Sequence, residues 1–142
     1  MLWAPEQRAV AAVHVGRVGL YDGIIANALK VLSCGYTAPP GDVRAIIGPS
    51  IGPCCYEVSP ELADAFRDRF GAGVALGRQL DLWSASEQSL LEAGVLSGAI
   101  RTERLCTSCS PDRLFSHRRD GGQTGRMVSV VVAPGGTPRP AP

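Results

Sequence analysis

Lysine is almost missing from this sequence: of its 14 basic residues all but Lys30 are arginine, and 13 acidic residues leave a formal charge of +1. So even a balance lacks the electrostatic footprint of a nucleic-acid binder or of a protein held on anionic lipid, and neither is an expected partner. No stretch approaches the ~20 consecutive apolar residues that a bilayer-crossing helix needs. The opening MLWAPEQR has neither the basic start nor the apolar run of a secretory signal. These absences favour a cytoplasmic setting, where the five cysteines are expected as reduced thiols, and their odd number argues against a closed disulfide framework.

What is present suits a folded domain. Hydrophobic residues make up 45% and charged residues 19% of the 142, and that length fits a single unit. We read one domain over 1–133 and a Pro/Gly-rich tail over 134–142 that is expected to be disordered. The apolar run within Arg8–Val15, bounded by Glu6-Gln7 and Gly16, predicts a buried strand. A buried strand needs neighbours on both sides, so one this close to the start implies strands that precede it or come from another subunit, which makes a second copy of the chain a candidate partner.

Further along, Ile24, Ala28, Leu29 and Leu32 recur at helical spacing within Leu20–Leu32, with Gly35 as the expected C-cap. A turn at Pro39-Pro40-Gly41-Asp42 leads into a strand over Val43–Ile47. Ser59-Pro60 launches a helix to about Phe70, broken by the glycines from Gly71 to Gly77, and Ser84–Ala93 predicts a third helix ending at Gly94. Ile100–Cys106 and the β-branched Met127–Val132 predict two more strands. The fold class expected is α+β, mixed α/β layers in which a mixed sheet packs with about three helices.

Four segments carry residues with chemistry. His14 stands at the end of the first predicted strand, before Gly16 and Gly19, where backbone can turn sharply: a place for a metal ligand or for an ordinary hydrogen-bonded histidine. The loop from Gly48 to Val58, GPSIGPCCYEV, follows a strand directly, the usual location of ligand-binding backbone; the alternative is a tight crossover with two buried thiols, Cys54 and Cys55. Cys106 and Cys109 form a CxxC unit with no second CxxC and no spaced histidine pair, which favours two ordinary thiols over a zinc site. Last, Arg118, Arg119 and Arg126 with His117 and three glycines crowd one loop, a receptor for phosphate or carboxylate or else a solvated arginine-rich hairpin.

Taken in order, AAVHVGRVGL, IGPSIGPCCYEV, LDLW and CTSC…RLFSHRRDGGQTGRM resemble the motifs of the laccase-domain family, described as polyphenol oxidase and as purine nucleoside phosphorylase, over Ala9 to Val132. The resemblance implies a metal, zinc or sometimes copper, held by two histidines and a cysteine. Of these ligands only the last maps here, onto His14; the others belong to an N-terminal half expected to precede Met1, so this chain would be an incomplete version of the family domain. Neither Cys54 nor Cys55 fills that gap, because they match a different motif.

The implied activity is phosphorolysis of purine nucleosides, with adenosine deamination beside it; phenol oxidation and peptidoglycan editing are other roles assigned to the family. Purine nucleoside and phosphate are the implied partners, with Arg118, Arg119, Arg126 and Gly48 as the residues that would bind them. Two departures touch fine substrate contacts: Arg17-Val18 replaces Trp-Arg, and Ser86 stands where asparagine is common. Against the enzyme stands a catalytically inactive fragment or binding module lacking two of three metal ligands. A cysteine hydrolase built on Cys54 or Cys55 lacks a nameable base.

Overall fold

Two short apolar triplets open the chain, and alternate burial of Leu2, Trp3 and Ala4 gives them the period of a strand with one face inward. In a computed structural model that describes residues 1–133 and Gly135, Leu2–Ala4 (β1) and Ala9–Ala11 (β2) form an antiparallel hairpin closed by an Arg8 N–H to Pro5 carbonyl bond of 3.2 Å. The strand expected over Arg8–Val15 is therefore shorter than its apolar run, and its neighbour β1 is one the sequence pattern does not signal. On its other edge β2 has no strand partner among the described residues. The tail expected over 134–142 lies, apart from Gly135, outside them.

β1 also pairs antiparallel with Arg44–Ile47 (β3), and β3 pairs parallel with Ile100–Thr102 (β6), giving a mixed sheet of order β2-β1-β3-β6. A separate two-stranded hairpin joins Ala75–Leu76 (β4) to Gln79–Leu80 (β5). With its helices this is the expected α+β fold. Two antiparallel steps reverse direction twice, so β2, β3 and β6 all run the same way and only β1 opposes them. The chain thus leaves three of the four strands at one end of the sheet.

The helix expected over Leu20–Leu32 is two helices, Arg17–Tyr21 (α1) and Ile24–Tyr36 (α2). Gly23 separates them with a φ of 82°, a left-handed conformation that a side chain disfavours. Gly35 lies within α2, and Thr37, itself left-handed, ends it. The third helix, Pro60–Phe70 (α3), begins as predicted: Ser59 Oγ accepts from the Leu62 amide at 3.3 Å and Pro60 occupies the first turn.

The fourth helix, Leu82–Glu92 (α4), starts two residues earlier than expected because Asp81 is its cap, accepting from the amides of Trp83 at 2.9 Å and Ser84 at 3.1 Å. Leu20, Leu29, Leu32, Val43, Phe66 and Leu80 are the largest fully buried side chains, and with the sheet's inner face they make one core. Phe66 sits at its centre, 5.5 Å from the Tyr21 ring and 5.4 Å from the Phe70 ring between centroids.

One predicted strand does not form. Met127–Val132 is irregular, and Val128, Val130 and Val132 are exposed. β-Branched residues favour a strand only where a neighbouring strand supplies hydrogen bonds and a face to pack on, and none is offered to this segment among the described residues.

Asp81 joins sequence to packing through α4, which touches α2, α3, β3 and β6. Asp81→Ala is expected to lower unfolding free energy by about 1–2 kcal/mol in urea titrations, whereas Asp81→Asn, which keeps an accepting oxygen, recovers most of it. Equal midpoints for the alanine variant and the parent would contradict this role.

Candidate functional site

Because β2, β3 and β6 end together, the loops that follow them share one edge of the mixed sheet, the carboxyl end of its three like-directed strands, where ligands of open α/β sheets generally bind. His14 lies in the loop after β2, three residues beyond the strand end and not on the strand itself. Gly48 is the first residue after β3. Both line one cleft of about 460 Å³, together with Ser50, Trp83, Ser86 and Met127, among others. That volume lies within the range of small-molecule sites.

Backbone chemistry shapes the cleft walls. A Cβ at Gly48 would meet nothing within 4 Å, so its hydrogen leaves open space, and a Cβ at Gly16 would stand 3.2 Å from His14 Nε2. Gly16 therefore lets the exposed imidazole lie back over its own loop. Ser86 spends its hydroxyl on the Leu82 carbonyl at 2.7 Å. Trp83 is buried, and its indole N–H is a buried donor without an acceptor among the described residues. Such orphaned donors are rare and mark places where a ligand or water completes the bonding.

The three arginines do not share one surrounding. Arg119 is committed to its own chain: Nε and Nη2 bind Asp120 at 2.7 and 2.9 Å, Nη1 binds the Thr107 carbonyl at 2.9 Å and Nη2 the Leu114 carbonyl at 3.1 Å. Arg118 donates one Nη1 bond to the Glu57 carbonyl at 3.0 Å and lies over the Tyr56 ring at 5.0 Å. Arg126 is exposed and, among the described residues, bonds only the nearby carbonyls of Thr124 and Gly125. None of the three lines the cleft, although Met127 and Ser129, just past Arg126, do.

The cysteines come together as the sequence did not foretell. The Sγ atoms of Cys54, Cys55, Cys106 and Cys109 all lie within 4.8 Å of one another, so the CxxC unit is not two isolated thiols. Cys54 is exposed and Cys55 half-buried, against the alternative of two buried thiols in the crossover. Burial works against ionising Cys106, but the amides of Gly52, Cys109 and Ser108 and the Cys54 thiol outweigh it and bring Cys106 down to about 7. Crowding by the Cys55, Cys54 and Cys106 sulfurs pushes Cys109 up to about 12.

The family model described as multi-copper polyphenol oxidoreductase laccase matches residues 1–134. The chain belongs to this family. Among curated laccase-family relatives, purine nucleoside phosphorylase YlmD of Geobacillus stearothermophilus is 35% identical over 136 residues, covering 90% of this chain and 50% of the relative. Human purine nucleoside phosphorylase LACC1 is 31% identical, covering 89% of this chain and 31% of that protein. The chain spans about half the length of the bacterial relatives it matches.

Among solved structures, the Bacillus licheniformis hypothetical protein YfiH aligns with a TM-score of 0.81 at 35% identity, over 87% of this chain and 49% of that one. YlmD from Geobacillus stearothermophilus aligns with a TM-score of 0.71 at 36% identity, over 80% and 45%. The laccase-domain family thus accounts for both sequence and fold.

Asp120 organises the loop beside the cleft, taking bonds from Arg119, from Thr124 Oγ1 at 2.7 Å and from the Ser116 amide. The Arg119 guanidinium, then the Thr124 hydroxyl, hold its carboxyl down at about 2 against an ordinary 3.8. A lowered carboxylate pKa stabilises fully above the ordinary value, and that contribution is lost as pH falls through the folded value. We therefore expect the 114–126 loop to loosen between about pH 4 and about pH 2, read as faster amide exchange after correction for intrinsic rates. Asp120→Asn should be loose already at neutral pH and show no acid step; an acid step of full size in that variant would exclude Asp120 as its source.

Proposed function

We propose that residues 1–133 are the cleft-bearing part of a purine nucleoside phosphorylase that binds a purine nucleoside and inorganic phosphate in the space between His14 and Gly48. The observation that carries this reading is the convergence of two separate motifs, AAVHVGRVGL and IGPSIGPCC, on one cleft of small-molecule size. The names of the curated relatives support the substrate class.

In phosphorolysis a phosphate oxygen bonds to the anomeric carbon, the carbon–nitrogen bond to the base breaks, and the departing base takes up a proton. This chain's contribution is to hold the two reactants in line and dry. The orphaned N–H of Trp83, a residue that lines the cleft, suits a heterocyclic base that can accept a hydrogen bond. Gly48 lets backbone approach the ligand without a side chain between them. None of the arginines proposed for phosphate lines the cleft: Arg118 and Arg126 are the exposed ones, whose side chains would have to turn towards a phosphate there, while Arg119 fixes their loop through Asp120 and Thr107.

The zinc or copper that the family resemblance implies wants two histidines and a cysteine. His14 belongs to no group of three metal-capable side chains among the described residues, so these residues alone do not fit that centre, and we route no step through it. The same observation favours a second reading, a binding module without turnover. On the enzyme reading, adenosine deamination, which needs an activated water, stands beside phosphorolysis, and phenol oxidation is the alternative description of the same family. Reduced thiols fit a cytoplasmic enzyme: none of the five cysteines is paired. Among the described residues no helix is long and apolar enough to cross a membrane. The open edge of β2 makes a second copy of the chain the candidate protein partner.

The test is phosphate-dependent release of hypoxanthine from inosine, assayed for this chain and for the longest open reading frame that contains it. The longer product should turn over, and His14→Ala, which removes one wall of the cleft, should lower its kcat/KM for inosine by about tenfold or more. Gly48→Ala should leave thermal stability unchanged while raising the KM for inosine. Failure of the longer product to release base, with inosine still bound, would replace the enzyme by the binding module.

A further inference from the structure

The four sulfurs lie apart from the functional reading above, and no step of phosphorolysis uses them. They come from two segments, Cys54-Cys55 after β3 and Cys106–Cys109 after β6, about fifty residues apart in sequence. Past their regular ends those strands meet again, one residue out of step with the ladder: Ser50 and Cys106 form an isolated parallel bridge, and the Thr107 amide donates to the Ser50 carbonyl at 2.9 Å. The segments are thus held side by side by backbone bonds, before any sulfur chemistry.

From this arrangement we propose that Cys54, Cys55, Cys106 and Cys109 bind one zinc ion as a closed tetrathiolate, a structural clasp separate from the His14 cleft. Four thiolates at zinc–sulfur distances of about 2.3 Å sit at the corners of a tetrahedron whose edges are about 3.8 Å. Here Cys55 and Cys109 are 3.3 Å apart, Cys54 and Cys109 3.5 Å, and every pair is within 4.8 Å. A disulfide would need about 2.05 Å and would join only two of the four; no pair is bonded. The Gly52 amide already donates to Cys106 Sγ at 3.2 Å, the kind of support a metal-bound thiolate keeps in its outer shell.

Soft sulfur donors select zinc-like ions over magnesium, calcium or manganese, and four protein ligands leave no open position for a reacting water. Binding releases the protons still on the four thiols. The resulting centre carries a charge of −2, and arginines are anchored on both cysteine segments: Arg118 on the Glu57 carbonyl, Arg119 on the Thr107 carbonyl. Zinc would tie the loop after β3 to the loop after β6, and through them the 114–126 loop to the sheet.

The test is zinc content of the full chain, purified under reductant without chelator, with two variants in parallel. The parent and His14→Ala should each retain about one zinc per chain, while the double variant Cys106→Ser, Cys109→Ser should retain less than a tenth of that. Thiol titration of the parent should find Cys34 alone reacting fast until chelator frees the other four. Should the double variant fail to fold, cobalt(II) added to the metal-free parent supplies the second reading: intense tetrahedral d–d bands with sulfur-to-cobalt charge transfer. Absence of those bands, zinc lost from His14→Ala but kept by the cysteine variant, iron or copper recovered in place of zinc, or a disulfide within the set under glutathione would each overturn the proposal. Because His14→Ala spares the clasp and removes the proposed nucleoside site, failure of one idea is separable from failure of the other.

Discussion

Because β3 and β6 are parallel neighbours, their hydrogen-bond ladder carries on where the regular strands stop: Ile47 accepts from Glu103 at 2.9 Å and Ser50 from Thr107 at the same length. Parallel pairing sends both chains out of the sheet at one end, and beyond it the loops after β3 and β6 pair again after a one-residue slip, Ile47 standing opposite Thr102 but Ser50 opposite Cys106. β2 runs the same way on the far side of β1, so its loop arrives there too. Each chemically unusual segment of this protein is a continuation of one of those three strands.

Packing completes what the ladder begins. Helix α4 lies against both β3 and β6, fixed at its start by Asp81, whose carboxylate also meets Arg104 at 3.4 Å. Trp83, in the first turn of α4, presses on the loop after β3 where Gly52 makes room: a Cβ there would stand 2.5 Å from the indole Cη2 and 3.3 Å from the Cβ of Cys106. One residue without a side chain thus lets the helix, the GPCC loop and the CTSC segment approach one another. Overpacking at such a point generally costs about 1–3 kcal/mol. The nucleoside-sized cleft and the sulfur cluster are separate sites resting on that one junction.

Much of the scaffold was legible because local chemistry decides it. Ser59-Pro60 capped a helix as such pairs do, Val43–Ile47 made a strand, and the α+β class followed from the alternation of elements. The misread strands have a common cause, which is that strands are completed by neighbours distant in sequence. β1 was invisible as three residues; Met127–Val132 has the residues of a strand but no partner among those described. Gly23 divided a continuous apolar pattern through its left-handed φ.

The site was legible only in part. His14 and Gly48 were each visible as residues beside a turn, and the family motifs joined them. Cys54-Cys55 and Cys106–Cys109 were read as unrelated because nothing along the chain says that β3 and β6 are adjacent and parallel; that knowledge turns two pairs into one cluster. Arg119 looked interchangeable with Arg118 and Arg126 until its partners showed it braced against Asp120 and Thr107.

The most direct test of this account is amide hydrogen exchange at Thr107 in the reduced, metal-free protein. If the parallel pairing places the loops, that amide exchanges as slowly as Glu103, which is bonded to Ile47 in the β3–β6 ladder, with no metal needed. Exchange at the rate of an exposed loop would mean that the pairing ends with the strands, and that the backbone is not what brings these segments together.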